Sequence, residues 1–141
     1  MTTIITRDDL RKLPKPRKKT SYPEHKIQRA IIDHIKIFKK PDLTWYHIPN
    51  GSTVPRGKLT LIRLAQIGMW AGVPDLYFSR PAYGFPGAVY VYYLEVKAPD
   101  GSVSNDQHIA QAWLKEQGAK VATVWSAEEG INQLTKWGLL R

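Results

Sequence analysis

The longest β-type run in this sequence, Ala88 to Ala98, follows a turn-rich segment at residues 81–87 that holds two prolines and two glycines. A shorter β-type run, Asp75 to Phe78, lies on the other side of that turn. Two strand-forming runs around a short turn favour a β-hairpin. This hairpin is the feature that most constrains the fold, because the rest of the chain has to cover it.

Helical and strand-type patterns alternate on both sides of the hairpin. Apolar residues recur at helical spacing on one face between Tyr22 and Lys39 and predict a first helix. The other predicted elements are a strand at Thr44 to Ile48, a helix around Leu61 to Gly68, a helix at Asn105 to Gln117, a strand at Val121 to Trp125 and a helix at Ala127 to Trp137. This order predicts a single α/β domain, a mixed β-sheet flanked by helices.

Length and composition exclude several classes of protein. A chain of 141 residues with 43% hydrophobic residues is enough for one compact domain with a core. The absence of cysteine excludes disulfides, thiolate zinc sites and a cysteine nucleophile. No apolar stretch approaches the roughly 20 residues that span a bilayer, so we expect a cytoplasmic protein without a membrane partner.

Positive charge is concentrated near the N-terminus. The formal net charge is +9, and residues 1–40 hold 12 Lys and Arg against 4 Asp and Glu. Residues 11–19 contain six cations, Arg11, Lys12, Lys15, Arg17, Lys18 and Lys19. We interpret residues 1–20 as a flexible basic arm that contacts nucleic-acid phosphates, followed by one domain over residues 21–141. The alternative is a solvated tail that only aids solubility.

Two carboxylates and an amine are the candidate chemical groups of the hairpin. Glu95 and Lys97 lie two apart on a strand and therefore share a face, whereas Val96 points the other way. Asp75 and Glu95 are symmetric about position 85, inside the predicted turn. Because paired residues of a hairpin have numbers symmetric about its turn, hairpin geometry predicts that these two carboxylates lie side by side.

Two adjacent carboxylates repel each other unless a cation lies between them. Hard oxygen ligands suit Mg²⁺ or Mn²⁺, with Asp75, Glu95 and the Val96 backbone carbonyl as ligands. Hydrolysis of a phosphodiester also needs an activated water and a group such as Lys97 to orient it or to stabilise the developing charge. No small-molecule cofactor is expected. The alternative is an exposed ion pair next to a turn-forming Pro-Asp.

Several short motifs together resemble one known family. They are Gly72-Val-Pro-Asp75, Leu94-Glu-Val-Lys97-Ala-Pro, Ser104 and Gln107 before a helix with Trp113-Leu114, an upstream helix bearing Glu24, and His47-Ile-Pro-Asn50-Gly51. Over roughly residues 20 to 130 the chain resembles the VRR-NUC family of PD-(D/E)xK nucleases.

The resemblance implies a restriction-endonuclease-like fold and a divalent-metal-dependent DNA endonuclease. It gives metal or catalytic roles to Asp75, Glu95 and Lys97, and it adds Glu24 as an acidic residue and Gln107 as a polar one. Stand-alone members of this size are similar to Holliday-junction resolvases, which are homodimers that cut branched DNA, and phages often carry them. The rival hypothesis is a non-catalytic basic module of the same fold that binds nucleic acid.

Glu24 and Gln107 also have a purely structural interpretation. Each ends a Ser-x-x-Glu/Gln pattern typical of a capping box at a helix start, and so does Glu129, for which no chemistry is expected. Spacing alone favours capping for all three. The family resemblance reverses that preference for Glu24 and leaves Gln107 open.

Histidine and tryptophan residues give weaker signals. His34 lies among apolar residues and is expected at the edge of the core, whereas His47 is a candidate for reaching the substrate. Trp113 and Trp125 fall on predicted elements and are expected in the core, and Trp70 is open between core packing and stacking on DNA.

Overall fold

The computed structural model describes residues 23–49, 62–63 and 65–141. The predicted basic arm at residues 1–20 and the motif residues Asn50 and Gly51 lie outside the described residues. Of the helix predicted around Leu61 to Gly68, the described residues Ile62, Arg63, Ala65 and Gln66 are helical. The division into an arm and a domain therefore stays a prediction.

Within these described ranges, three longer helices and four strands follow the predicted order. They are α1 (Pro23–Phe38), β1 (Thr44–His47), β2 (Leu76–Pro81), β3 (Val89–Val96), α2 (Asn105–Glu116), β4 (Lys120–Val124) and α3 (Ala127–Lys136). The largest difference from the predicted bounds is at β2, which continues to Pro81 instead of ending at Phe78. Its continuation is paired along its whole length with β3.

The four strands form one mixed sheet in the order β1-β2-β3-β4. Strand β2 pairs antiparallel with both β1 and β3, and β4 is parallel to β3. Parallel neighbours need a crossover, and α2 provides it between β3 and β4. The predicted mixed sheet flanked by helices is confirmed.

The central hairpin has the predicted register. Leu76 pairs with Leu94 and Pro81 with Val89, so every pair is symmetric about position 85. Backbone hydrogen bonds close the turn, from the N–H of Ala82 to the carbonyl of Ala88 at 3.0 Å among others. The symmetry argument made from residue numbers alone therefore describes the hairpin as it folds.

The two faces of the sheet have different covers. On one face, α1 and α3 pack against alternate residues of β2 and β3, including Leu76, Phe78 and Leu94, which are fully buried. Burial of each large apolar side chain contributes about 1.5–3 kcal/mol to folding. Helix α2 packs beside β4 on the opposite face through Ala110 and Leu114. The face that carries Glu95 is the one next to α2, because Glu95 alternates with the core residues.

Hydrogen bonds join the hairpin to the turn after α1 and to the end of α3. The Arg80 guanidinium donates to the Asp42 carboxylate at 2.9 and 3.0 Å and to the Gly138 carbonyl at 2.7 Å. Tyr83 also donates to Asp42, at 2.6 Å. The hydrogen bonds from Arg80 and Tyr83 lower the pKa of Asp42 to about 2. The turn after α1, strand β2 and the end of α3 are thereby joined.

The prediction that Trp113 is a core residue is wrong, because 54% of its surface is exposed. Helix α2 buries only Ala110 and Leu114, and Trp113 lies about 100° around the helix from Leu114. Trp125 is partly buried and donates from its indole N–H to the Gly101 carbonyl at 2.8 Å. None of the helices in the described part of the chain is long and apolar enough to cross a membrane.

Candidate active site

The two predicted carboxylates lie opposite each other at one end of the hairpin. One step beyond the last β2–β3 pair, Leu76 with Leu94, the register places Asp75 across from Glu95. Cross-strand neighbours point to the same face of a sheet. Both side chains are buried, with 8% of Asp75 and 2% of Glu95 exposed. Two buried carboxylates side by side are unfavourable, because each has lost its hydration and they repel each other. Their placement therefore needs a compensating charge or proton.

Asp75 is held by the strands on both sides of it. Its Oδ2 accepts the backbone N–H of Val96 at 2.8 Å. Its backbone carbonyl accepts the N–H of Ile48 at 2.7 Å and lies 3.1 Å from Nδ1 of His47. The carboxylate is therefore fixed against β3, and the backbone of Asp75 is fixed against the end of β1.

Glu95 has one occupied oxygen and one without a partner. Its Oε1 accepts from Nε2 of Gln107 at 2.7 Å and lies 3.9 Å from Nζ of Lys97. Its Oε2 is buried and has no hydrogen-bond partner among the described residues. An orphaned buried oxygen carries a desolvation cost that a bound cation or proton would relieve.

The electrostatic environment of Glu95 favours its neutral form. Burial is the main cause that raises the pKa of Glu95 to about 8, and the nearby charges of Asp75 and Glu24 raise it further, whereas Lys97 lowers it. Perturbed carboxyl groups with a named charge partner are concentrated at functional sites. The nearby ammonium group of Lys97 does not offset the burial and the two acids.

Gln107 caps the start of α2 and also contacts Glu95, and its catalytic role stays a prediction. Its Oε1 accepts the N–H of Ser104 at 2.9 Å and its own N–H donates to Ser104 Oγ at 3.2 Å, which is a complete capping box at the start of α2. The remaining amide nitrogen donates to Glu95. One side chain thus begins the helix and contacts the carboxyl group.

Glu24 reaches the same region from the first turn of α1. Its Oε1 accepts the backbone N–H of Ala98 at 3.3 Å, just beyond the end of β3. Its negative charge is also among the causes that raise the pKa of Glu95. The serine of its potential capping box, Ser21, lies outside the described residues. Glu24 therefore lies near the pair of Asp75 and Glu95, as the resemblance implies. Its metal-binding or catalytic role stays a prediction.

Gly72 permits the close approach of the loop before Asp75 to the start of α2. Its φ is +83°, and a Cβ placed on it would lie 2.4 Å from the backbone carbonyl carbon of Asp106 and 2.7 Å from the backbone N of Gln107. Only glycine fits there. The sequence marked Gly72 as a chain break and as part of a motif, but it gave no sign of this contact.

The donor set fits a hard divalent cation as far as the described residues go. Among them, no group of three or more His, Cys, Asp or Glu side chains is arranged to hold a metal. Two buried carboxyl groups, one of them with an oxygen that has no partner among the described residues, match the one or two carboxylates through which proteins usually bind Mg²⁺. The Val96 carbonyl stays the predicted third ligand.

The fold is shared with a structure already solved. No model of a known protein family matches the sequence, and no curated protein matches it. A solved structure described as a "VRR_NUC domain protein" is similar to this chain with a TM-score of 0.61, over 85% of this chain and 92% of that one, at 16% sequence identity. The predicted α/β fold class is therefore confirmed, and the fold is the one that this VRR_NUC domain protein also has.

Proposed function

We propose that this protein is a divalent-metal-dependent DNA endonuclease that hydrolyses phosphodiester bonds. The observation that carries the proposal is the buried pair of Asp75 and Glu95, next to the Lys97 ammonium, with one Glu95 oxygen that no described residue contacts by a hydrogen bond. The description of the similar structure as a VRR_NUC domain protein supports a nuclease-type domain. The positive net charge of +9 supports an anionic substrate.

Each residue of the site has a distinct task in this mechanism. Asp75, Glu95 and the Val96 carbonyl hold Mg²⁺ or Mn²⁺, with Glu24 as a further acidic ligand. When bound, the metal supplies positive charge against the negative charge that develops on the phosphate. Lys97 orients the attacking water or stabilises the negative charge that develops on the phosphate. Gln107 does not need to touch the substrate, because its hydrogen bond orients Glu95.

Single substitutions at the site test the proposal. Asp75→Asn, Glu95→Gln and Lys97→Ala should each abolish cleavage and leave DNA binding largely intact, because phosphate contacts made elsewhere supply most of the affinity. Exposed residues provide matched controls: Asp100→Asn, Glu128→Gln and Lys115→Ala should cut like the wild type. Cleavage of labelled DNA is measured with Mg²⁺, with Mn²⁺ and with a chelator. A wild-type protein that binds DNA and never cuts it would support the non-catalytic module instead.

The proposed substrate is branched DNA, and the proposed active form is a homodimer. A two-fold dimer presents two active centres to a four-way junction, which has an approximate two-fold symmetry of its own. Four-way junctions should therefore be cut in pairs and faster than linear duplex of the same sequence, by a dimer detectable in sedimentation. A monomer that cuts linear duplex equally fast would remove the junction preference and leave the nuclease proposal standing.

The basic arm is proposed to add sequence-independent affinity for DNA. The six cations within residues 11–19 should release counterions on binding and steepen the dependence of affinity on salt. Deletion of residues 1–19 should make that dependence shallower, as measured by binding titrations at several salt concentrations. An unchanged salt dependence would favour the solvated-tail interpretation.

A further inference from the structure

A second group of side chains lines an open cavity between α1 and the end of β1. The cavity has a volume of about 400 Å³, and its lining residues are His25, Lys26, Gln28, Arg29, Ile32 and His47. None of the described residues that line it is acidic. Within the described part of the chain, neither Lys26 nor Arg29 forms an ion pair with a carboxylate. The cavity wall therefore has a net positive charge.

The cavity is connected to Asp75 through His47. Nδ1 of His47 lies 3.1 Å from the Asp75 carbonyl oxygen and 3.0 Å from Nε2 of Gln28. Both of these contacts involve Nδ1, and His47 is an exposed residue of the cavity lining. Residue Glu24, which contacts Ala98 at the end of β3, immediately precedes His25 on α1. His47 thus joins the cavity lining to the backbone of Asp75, and Glu24 joins the start of α1 to the end of β3.

We infer that this cavity binds a backbone phosphate of the DNA strand next to the phosphate that is cut, an inference that rests on the proposed function. An ammonium and a guanidinium group are the usual partners of phosphate oxygens, and the guanidinium binds them in a bidentate geometry. The imidazole of His47 adds a third polar contact. A metal cation is a poor occupant, because none of the described lining residues carries a carboxylate.

A phosphate held here acts on the position of the strand and not on the chemical step. Contacts to phosphates fix the register of a nucleic acid without reading its sequence. A strand anchored in the cavity brings the neighbouring phosphate to Asp75 and Glu95 from the side of β1. Loss of the anchor should therefore raise KM and leave kcat close to the wild-type value, since the carboxylate pair and Lys97 are untouched.

The test combines substitutions in the cavity with neutral linkages in the DNA. Single methylphosphonate linkages are placed one at a time along an oligonucleotide, and affinity for each is measured with a chelator present. The wild type should lose about tenfold in affinity at one position near the cut. In the Lys26→Ala/Arg29→Ala variant, which binds more weakly throughout, the linkage at that position should cost nothing further. The salt dependence of affinity should also become shallower by about one counterion.

The control variant is Lys115→Ala/Lys136→Ala, which removes two exposed cations from α2 and α3. It should keep the sensitivity to the neutral linkage at the same position. If the cavity variant keeps that sensitivity too, or if its KM equals that of the wild type, the inference is overturned. Circular dichroism confirms that both variants fold, which is expected because all four side chains are exposed.

The binding measurement separates this inference from the proposed function. If the wild type never cuts DNA and the linkage effect disappears in the cavity variant, the phosphate site stands and the nuclease proposal fails. If the wild type cuts and the cavity variant binds and cuts identically, only the phosphate site fails.

Discussion

At the scale of single residues, Glu95 is the most unusual group in the described part of the protein. It is almost fully buried, it faces Asp75, and its pKa is raised to about 8. A carboxyl group of this kind holds a proton at neutral pH unless a cation replaces it. The site is therefore expected to exchange a proton for a metal ion, and metal binding should be tighter at higher pH.

The first prediction concerns stability as a function of pH without metal. The pKa of Glu95 is about 8 in the folded protein, higher than its ordinary value of 4.5. The folded state therefore binds the proton more strongly, and stability should fall as pH rises from about 5 to 8 and level off above that. The slope for one proton is at most about 1.4 kcal/mol per pH unit.

Chemical denaturation in a chelating buffer measures this slope, and Glu95→Gln should flatten it. Asp42, whose pKa is lowered to about 2, loses its contribution only below about pH 4 and does not interfere in this window. Parallel stability curves for the wild type and Glu95→Gln between pH 5 and 8 would contradict the assignment of the raised pKa to Glu95.

A second prediction separates the two roles of Gln107. Gln107→Ala removes the two side-chain hydrogen bonds, to the Ser104 N–H and to Glu95, and keeps the backbone bond to Ser104 Oγ, whereas Ser104→Ala removes that cap bond alone. Each variant should lose about 0.5–2 kcal/mol of unfolding free energy. Gln107→Ala should also lose most of its cleavage activity, and Ser104→Ala should keep it. Equal activities in the two variants would make Gln107 a helix cap and nothing more.

The sequence predicted part of this site because part of it depends on local geometry. The side-by-side placement of Asp75 and Glu95 follows from hairpin symmetry, and that of Glu95 and Lys97 follows from strand alternation. The cavity formed by Arg29 and His47 was not predictable, because it depends on how α1 is packed beside β1. Local periodicity gives no information on such a contact.

At the scale of elements, the loop before β2 and the start of α2 depend on each other. Gly72 lets the loop pass the backbone of Asp106 and Gln107 at a distance that leaves no room for a side chain. The helix start carries Gln107, and the loop leads into Asp75. The distance between these two elements therefore sets the distance between the carboxylates and the groups that orient them.

The third prediction compares two glycines with similar backbone angles. Gly72 has φ +83° and Gly84 has φ +92°, but a Cβ on Gly84 would meet nothing within 4 Å. Gly84→Ala should cost about 1–2 kcal/mol for the positive φ alone. Gly72→Ala should cost clearly more and should also lose cleavage, since the start of α2 has to move. Urea denaturation and cleavage rates check both, and equal effects would mean that the close approach is unimportant.

The order of elements along the chain was predictable, but their order in the sheet was not. Periodicity and turn residues marked every strand and every longer helix in the described part of the chain. Which edge of the hairpin receives β1 and which receives β4 depends on contacts between distant segments. The prediction for Trp113 was wrong because the sequence pattern of α2 does not show how narrow the buried face of that helix is.

At the scale of the whole molecule, the last residues close the helical layer. Leu139 and Leu140 are buried in the same core as Ile31 and Ile35 of α1. Leu140 forms an antiparallel bridge with Lys39, just after the end of α1. The layer that supports the hairpin from behind thus depends on residues that lie more than 40 positions beyond Glu95.

The fourth prediction tests this closure. Leu139→Ala should lower the unfolding free energy by about 2–5 kcal/mol, because Leu139 is fully buried. Arg141→Ala, an exposed neighbour with a hydrogen bond to the Ile37 carbonyl, should lower it by less than about 1 kcal/mol. Thermal and urea unfolding give both values. Similar losses in the two variants would show that the end of the chain does not contribute to the core.

The Gln107 side chain caps α2 and also contacts Glu95, so hydrogen exchange at the start of α2 depends on the state of the carboxylate pair. Opening of the first turn of α2 breaks the bond to Glu95, so the local opening equilibrium and the occupancy of the carboxylate pair are thermodynamically linked. A ligand that binds only the closed form slows hydrogen–deuterium exchange at the Gln107 amide by the factor by which it stabilises that form. Isotope exchange at one helix start is therefore expected to report on occupancy of the proposed metal site in the absence of any turnover.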